Sequence, residues 1–459
     1  MNKLYSYVIP PWILLIVIAF AVSGYVFTQI LGPGSNIPKA NCNSIKGCLA
    51  QGKQFYKSGF FPPAEKAFKK VLDKDPENAE ALAQLGRIAF YKNQLKEAES
   101  FFQKALTVDS KNQIAKELLP LVYYRLNEFA KAAPLESELG NQPLSDRLNS
   151  FENQPLYQIE AKNETLRVPF IKTDPVPVVR ISVNGSAPVD FIIDTGAAEL
   201  VIDSSLAQRV GAKTFGKSKT GYPGGLQTEY EYGRVDSVSF EESESSSGGN
   251  WSIKNVPVHV QNLRALAVIF KDVEIKGIIG TTFLYQFLAT IDYPEGALIL
   301  RKKDAARSTE LVALAKSTKE IFSVPFWMAG DHYIVAWGTL NKGAPTLFFV
   351  DTGLAGGAFL APPSTIHQAG ITVVEHQGID GEKDEGRPQG VPFSANELTL
   401  GEVKAREVLS FADVFPEKLE YQFGFRIGGI VSHQFFREYA VTFDFISMNI
   451  FLEHKEISQ

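Results

Sequence analysis

Asp194 and Asp351 each open an Asp-Thr-Gly triplet, 157 positions apart in a chain of 459 residues. Each triplet follows an apolar run, Val189 to Ile193 (VDFII) in one case and Leu347 to Val350 (LFFV) in the other. Such runs read as buried strands, and a glycine behind a strand allows a sharp turn. A carboxylate on that turn would be held on a rigid support, where a reacting group is best placed. A single triplet would be weak evidence, since Asp and Gly are ordinary turn residues. Two carboxylates held about 3 Å apart cannot both ionise cheaply, so such a pair would share one proton and could act on a water.

The triplets sit within two matching halves. Val168-Pro169-Phe170 answers Val324-Pro325-Phe326, and Asn184-Gly185-Ser186-Ala187-Pro188 answers Asn341-Lys342-Gly343-Ala344-Pro345. Beyond the triplets, Gly277-Ile278-Ile279-Gly280 answers Gly429-Ile430-Val431-Ser432, and Thr290-Ile291-Asp292-Tyr293 answers Thr442-Phe443-Asp444-Phe445. Order and spacing persist while most residues differ, as in a duplicated domain.

On these motifs, residues 165 to 455 resemble the retropepsin-like and pepsin-like aspartic peptidases. The first half, with IDTGAAELVIDSSLAQRVGA, GYPGG and GIIGTTFLYQFLATIDYPEGALIL, is the closer match. The resemblance implies an all-β bilobal acid-protease fold in which Asp194 and Asp351 meet across a pseudo-dyad. The ionised carboxylate would take a proton from a bound water and the protonated one would donate to the scissile carbonyl. No metal and no organic cofactor is expected. Thr195 and Thr352 would hydrogen-bond across to the opposite loop, and Gly196 and Gly353 would keep side chains out of the crowded centre. Two residues depart from the pattern: Leu354, where Ser or Ala is usual, and Ser432, where lobe 1 has Gly280. Flap candidates are Tyr222, Gly224 and Gly225 in lobe 1, and Ile379 and Gly381 in lobe 2. Their glycine-rich stretches suit a mobile lid; ordinary hairpin turns are the alternative.

The remaining sequence has to position and present these lobes. Length alone implies two to four domains at about 100–200 residues each. A net charge of −5 gives no reason to expect a nucleic-acid partner. From Leu4 to Pro38 no residue is charged, and Trp12 to Ile30 is long and apolar enough to cross a bilayer, which takes about 20 residues. Residues 1–38 are therefore expected to be a cytoplasmic tip and a transmembrane signal anchor. The chain would then be a single-pass cell-membrane protein with its bulk extracytoplasmic, periplasmic in a Gram-negative bacterium. Cys42 and Cys48 are either a small disulfide loop or two free thiols.

Within 39–137, Gly52, Tyr56, Ala64, Phe68, Leu72 and Asp75 recur 34 residues later as Gly86, Phe90, Ala98, Phe102, Leu106 and Asp109. That period is the tetratricopeptide one. A third, poorer copy follows, with Pro120 expected to interrupt its first helix. The array would dock a substrate or protein partner, or serve as a spacer. Residues 138–160 read as a linker, 161–303 as lobe 1, 304–322 as a partly helical connector and 323–459 as lobe 2.

Other patterns carry less. Gly211 to Ser218 fits a phosphate loop on paper but lacks the strand-then-helix context. Asp292 and Asp444 lie beside late strands and read as structural. His433 reads as packing or a hydrogen bond. Three readings stand: an aspartic endopeptidase hydrolysing a peptide or protein substrate, a catalytically silent peptide-binding scaffold with a degenerate second lobe, or a peptidase whose target is presented by the repeats.

Overall fold

Small residues at a fixed period allow helices to pack in pairs, and the structure bears this out. The computed structural model describes residues 42–152, 154–161, 163–221, 227–240, 251–373, 390–412, 415–416 and 418–455. It opens with helices α1 (Ile45–Lys57), α2 (Phe61–Leu72), α3 (Ala79–Tyr91), α4 (Leu95–Val108), α5 (Gln113–Arg125), α6 (Phe129–Glu138) and α7 (Gln142–Asn149). A Cβ on Gly52 would lie 2.5 Å from the Phe68 ring, and one on Gly86 would lie 2.6 Å from Phe102. Only glycine lets α1 meet α2, and α3 meet α4, this closely. The period also shows in the N-caps. Ser44, Asn78 and Asn112, 34 residues apart, each accept from the backbone N–H three residues on, at 3.1, 3.0 and 3.1 Å. The third repeat is thus regular at its start, and α5 continues through Pro120 instead of breaking there. Proline removes one backbone bond, and burial of Leu119 and Val122 on either side offsets that loss. Cys42 and Cys48 form a disulfide just ahead of α1.

Residues 138–160, expected to be a linker, carry α7 and a short strand, Gln158–Glu160, that pairs with Trp251–Gln261. The chain then turns to strands. Val178–Val183 and Val189–Ile193 pair antiparallel around the turn that starts at Asn184-Gly185, both at positive φ. They belong to an eight-stranded sheet that forms lobe 1. Strands of both halves meet in a shared sheet, where Phe287–Asp292 pairs antiparallel with Tyr439–Asp444. Thr290 lies opposite Thr442 there, their hydroxyls 2.8 Å apart, so equivalent residues of the two halves touch on the pseudo-dyad. The connector contains a helix, Ala305–Ser317.

The array and lobe 2 share one apolar core. The Phe61 ring lies 5.1 Å from Phe425 and 5.4 Å from Trp327, and Phe60 stacks on Trp337 at 5.1 Å. Leu82, Phe90, Leu347, Phe349 and Ile430 belong to the same cluster. This burial removes the array's apolar face from water, and that is the main force holding the two together.

The expected transmembrane helix has to be corrected. The longest described helix, α4, has 14 residues, and among the described residues no helix is long and apolar enough to cross a membrane. The segment from Trp12 to Ile30 lies outside the described residues. The fold class is therefore helical repeats followed by all-β lobes without a demonstrated span, and the single-pass membrane localisation is withdrawn with it.

Candidate active site

Each Asp-Thr-Gly triplet ends a strand that runs parallel to a later one. Val189–Ile193 pairs with Ile275–Ile279, and Thr346–Asp351 pairs with Ile427–Ser432. These are the apolar segments that matched in sequence, and they brace the loops from behind. The Thr195 backbone N–H donates to Thr352 Oγ1, and the Thr352 N–H donates to Thr195 Oγ1, both at 3.0 Å. The hydroxyls pass the bond on: Thr195 donates to Val350 O at 2.9 Å and Thr352 donates to Ile193 O at 3.3 Å. Four buried bonds thereby lock the loops in one relative position.

That lock brings Asp194 and Asp351 together. Gly196 N–H donates to Asp194 Oδ1 at 2.7 Å, and Gly353 N–H donates to Asp351 Oδ1 at 2.9 Å. A Cβ on Gly196 would lie 2.5 Å from the Asp351 carboxyl carbon, and one on Gly353 would overlap the Asp194 carboxylate. Glycine is required at both places because the opposite carboxylate occupies the space. Burial pushes Asp194 above the ordinary carboxylate range, against the pull of its hydrogen bonds. Burial pushes Asp351 well above it, and the neighbouring Asp194 charge adds to the rise. The pair thus retains a proton where isolated carboxylates would have lost theirs, and it titrates as a unit. Such a site can hold a water against one ionised and one protonated carboxyl.

Residues 179–283 match the family model for aspartyl protease, and residues 49–113 match a tetratricopeptide repeat model. The chain carries an aspartyl protease domain behind tetratricopeptide repeats. A search of the curated proteins finds no match. Among solved structures, conglutin gamma, a unique basic 7S globulin from lupine seeds, aligns with 64% of this chain and 96% of its own. The identity is 10% and the TM-score 0.41.

The two departures of lobe 2 are accommodated together. Val201 lies opposite Ile278 in lobe 1 and Leu360 lies opposite Ile430 in lobe 2, so the second loop is two residues longer. A Cβ on Gly280 would lie 2.7 Å from the Ala197 carbonyl oxygen and closer still to that of Glu199. The longer loop leaves room for Ser432, whose hydroxyl donates to Gly357 O and accepts from Gln434 N–H. Leu354 is half-buried and packs against the core shared with the helical array.

The flap candidates Tyr222, Gly224, Gly225, Ile379 and Gly381 lie outside the described residues. Lys213–Gly221 and Gln227–Phe240, which flank the lobe 1 candidates, pair antiparallel. Asp292 and Asp444 hold turns: Asp292 accepts from Glu295 N–H and Lys455, and Asp444 accepts from Ile446 N–H, Ser308 and Ser447. Residues 213–221 form a strand, which removes the phosphate-loop geometry. His433 is fully buried, and burial lowers it to about 4, so the ring is neutral and packs near Tyr293. Among the described residues no group of three or more His, Cys, Asp or Glu side chains is gathered as for a metal.

Several residues around the first loop went unnoticed in the sequence. Glu199, five positions after Asp194, is buried and takes both Nη atoms of Arg147, at 2.5 and 2.9 Å, with the Tyr124 hydroxyl beside it. His332, also buried, places Nε2 3.1 Å from the Gly196 carbonyl. No local signal marks Arg147, which lies in a stretch rich in Asn, Ser and Pro. Glu199 follows the motif without being part of it.

Proposed function

We propose that this protein is an aspartic endopeptidase that hydrolyses peptide bonds with a water activated by Asp194 and Asp351. The observation that carries the reading is the interlocking of the two carboxylates, each seated against the glycine of the opposite triplet. In the first step the ionised carboxylate accepts a proton from the water, whose oxygen bonds to the scissile carbonyl carbon. The other carboxyl donates its proton to the carbonyl oxygen, giving a neutral tetrahedral diol. Collapse of the diol re-forms the carbonyl, breaks the C–N bond and delivers a proton to the leaving amine. One proton remains on the pair, ready for the next cycle. Thr195 and Thr352 hold the loops, and Gly196 and Gly353 admit the substrate. A peptide or protein chain is the substrate class this chemistry takes, and the repeats suit contact with protein.

The test is cleavage of a mixed peptide library by the full chain from pH 3 to 8, beside Asp194→Asn and Asp351→Asn. Both variants are expected to lose cleavage. Loss in only one would mean that the two carboxylates do not work as a pair. No cleavage by the unaltered chain at any pH would leave the reading without support and favour the silent scaffold.

A further inference from the structure

Tetratricopeptide arrays present one face repeatedly, and here that face is turned inward. Tyr56 and Tyr124 hold equivalent places in the first and third repeats, and Tyr91 and Arg125 in the second and third. All four touch the protease lobes. Tyr56 donates to Phe423 O at 2.8 Å, and Tyr91 meets the Phe425 ring edge-on at 6.1 Å. Arg125 donates to Met328 O at 2.8 Å and to Gly330 O at 2.5 Å. Tyr124 donates to Glu199.

Two of these contacts lead to the first dyad loop. Arg125 grips the hairpin tip between Ile321–Ala329 and Tyr333–Leu340, and that tip carries His332. His332 spans from the Asp331 carboxylate, 2.6 Å from Nδ1, to the Gly196 carbonyl. Arg147 of α7 reaches the same loop through Glu199. Between them, Ala197 O and Ala198 O accept from Thr281 N–H and Thr282 N–H at 2.9 Å. The helix that carries Arg147 also sets Pro143 against Gly216, on the strand Lys213–Gly221.

We infer that the helical array, together with α7 behind it, is a working part of the active site, in which Arg147 of α7 acting through Glu199, and Arg125 of the array acting through His332, are positioning residues for the dyad loop of lobe 1. The array's own ligand is then the protease domain to which it is joined. The ion pair itself argues for this. Burying two charges is costly, and apolar residues of similar size commonly give equal or better stability. A two-pronged Arg–carboxylate pair adds directional control that apolar packing lacks. Direction is what a dyad loop requires, because a misplacement of about 1 Å can cost about 100-fold in rate.

This inference rests on the peptidase reading, and its test separates the two. In the full chain, Arg147→Ala is expected to lower kcat about 10- to 100-fold with KM within about two-fold, as lost positioning should. Arg147→Lys, which keeps the charge without the fork, should recover only part of that loss. Arg147→Ala combined with Glu199→Ala should be no worse than Arg147→Ala alone. Hydrogen exchange at the Thr195 and Gly196 amides reads the loop without reference to activity and should quicken in Arg147→Ala. His332→Gln, on the second route, should quicken the same amides if Arg147→Ala fails to fold. Unchanged exchange and unchanged kcat, with only a lower Tm, would overturn the inference. A chain that cleaves no peptide but shows the quickened exchange would sink the peptidase reading alone.

Discussion

An Asn at 194 or 351 keeps the shape of the site and removes its acid–base chemistry. Each variant is expected to lose at least about 100-fold in kcat, the lower end of what a positioned acid or base contributes. The same residues leave a mark on stability. Asp351 titrates higher in the folded chain than in the unfolded one, where an Asp lies near about 3.9. Its contribution is therefore present below that value and lost as pH rises through the folded pKa. Asp351→Asn should raise Tm at neutral pH, with the gain vanishing towards pH 3; melting curves across pH 3 to 8 would check this. Glu199 has the opposite sign. Burial pushes it up, but the Arg147 charge, the neighbouring His259 and the hydrogen bonds from Arg147 and Tyr124 together outweigh that and hold it at about 2. Its stabilisation is present above the unfolded value near about 4.3 and is lost as pH falls towards 2. Glu199→Gln should accordingly flatten the acid limb of the Tm profile. At this scale the two Asp-Thr-Gly triplets were legible because their motif is contiguous. Arg147 and Glu199 were not, because a pair joined across 52 positions leaves no trace in local spacing.

Among the elements, the repeat period was legible down to its glycines. The Gly86 position has no space for a methyl group beside Phe102. Gly86→Ala should therefore cost about 1–3 kcal/mol through overpacking, read as a lower denaturant midpoint at unchanged m-value. The caps follow the same 34-residue period but lie outside the six positions that mark it in the sequence. Helix α7 was missed for another reason. Its Pro143 sits in the first turn, where the missing N–H would have had no partner in the helix anyway. A proline there signals a helix start as readily as a loop. The breaker reading of Pro120 failed because flanking burial offset one lost bond.

For the molecule as a whole, the sequence suggested separate units on linkers, and the structure gives a shared core. Apolar alternation in lobe 2 shows which side of a strand is buried, but not what buries it. A fragment of residues 138–459 would expose Trp327, Trp337 and Phe425, which the array now covers. Such a fragment should aggregate or bind a hydrophobic dye, while the full chain should unfold in a single calorimetric transition. Two separate transitions in the full chain would show that the lobes stand without the array.

The two dyad loops also differ in how closely they are governed. The first is gripped by an arginine fork, a histidine prop and a glycine with no space for a side chain, so nearly every neighbour depends on its path. The second has two more residues and has already admitted a serine where its twin keeps glycine. In a duplicated chain, such unequal constraint lets one copy drift while the other stays near its origin. A saturation scan of the chain should record the difference, with fewer tolerated substitutions at 197–200 than at 354 and 355, ahead of Gly356 at positive φ and Gly357 with no space for a side chain.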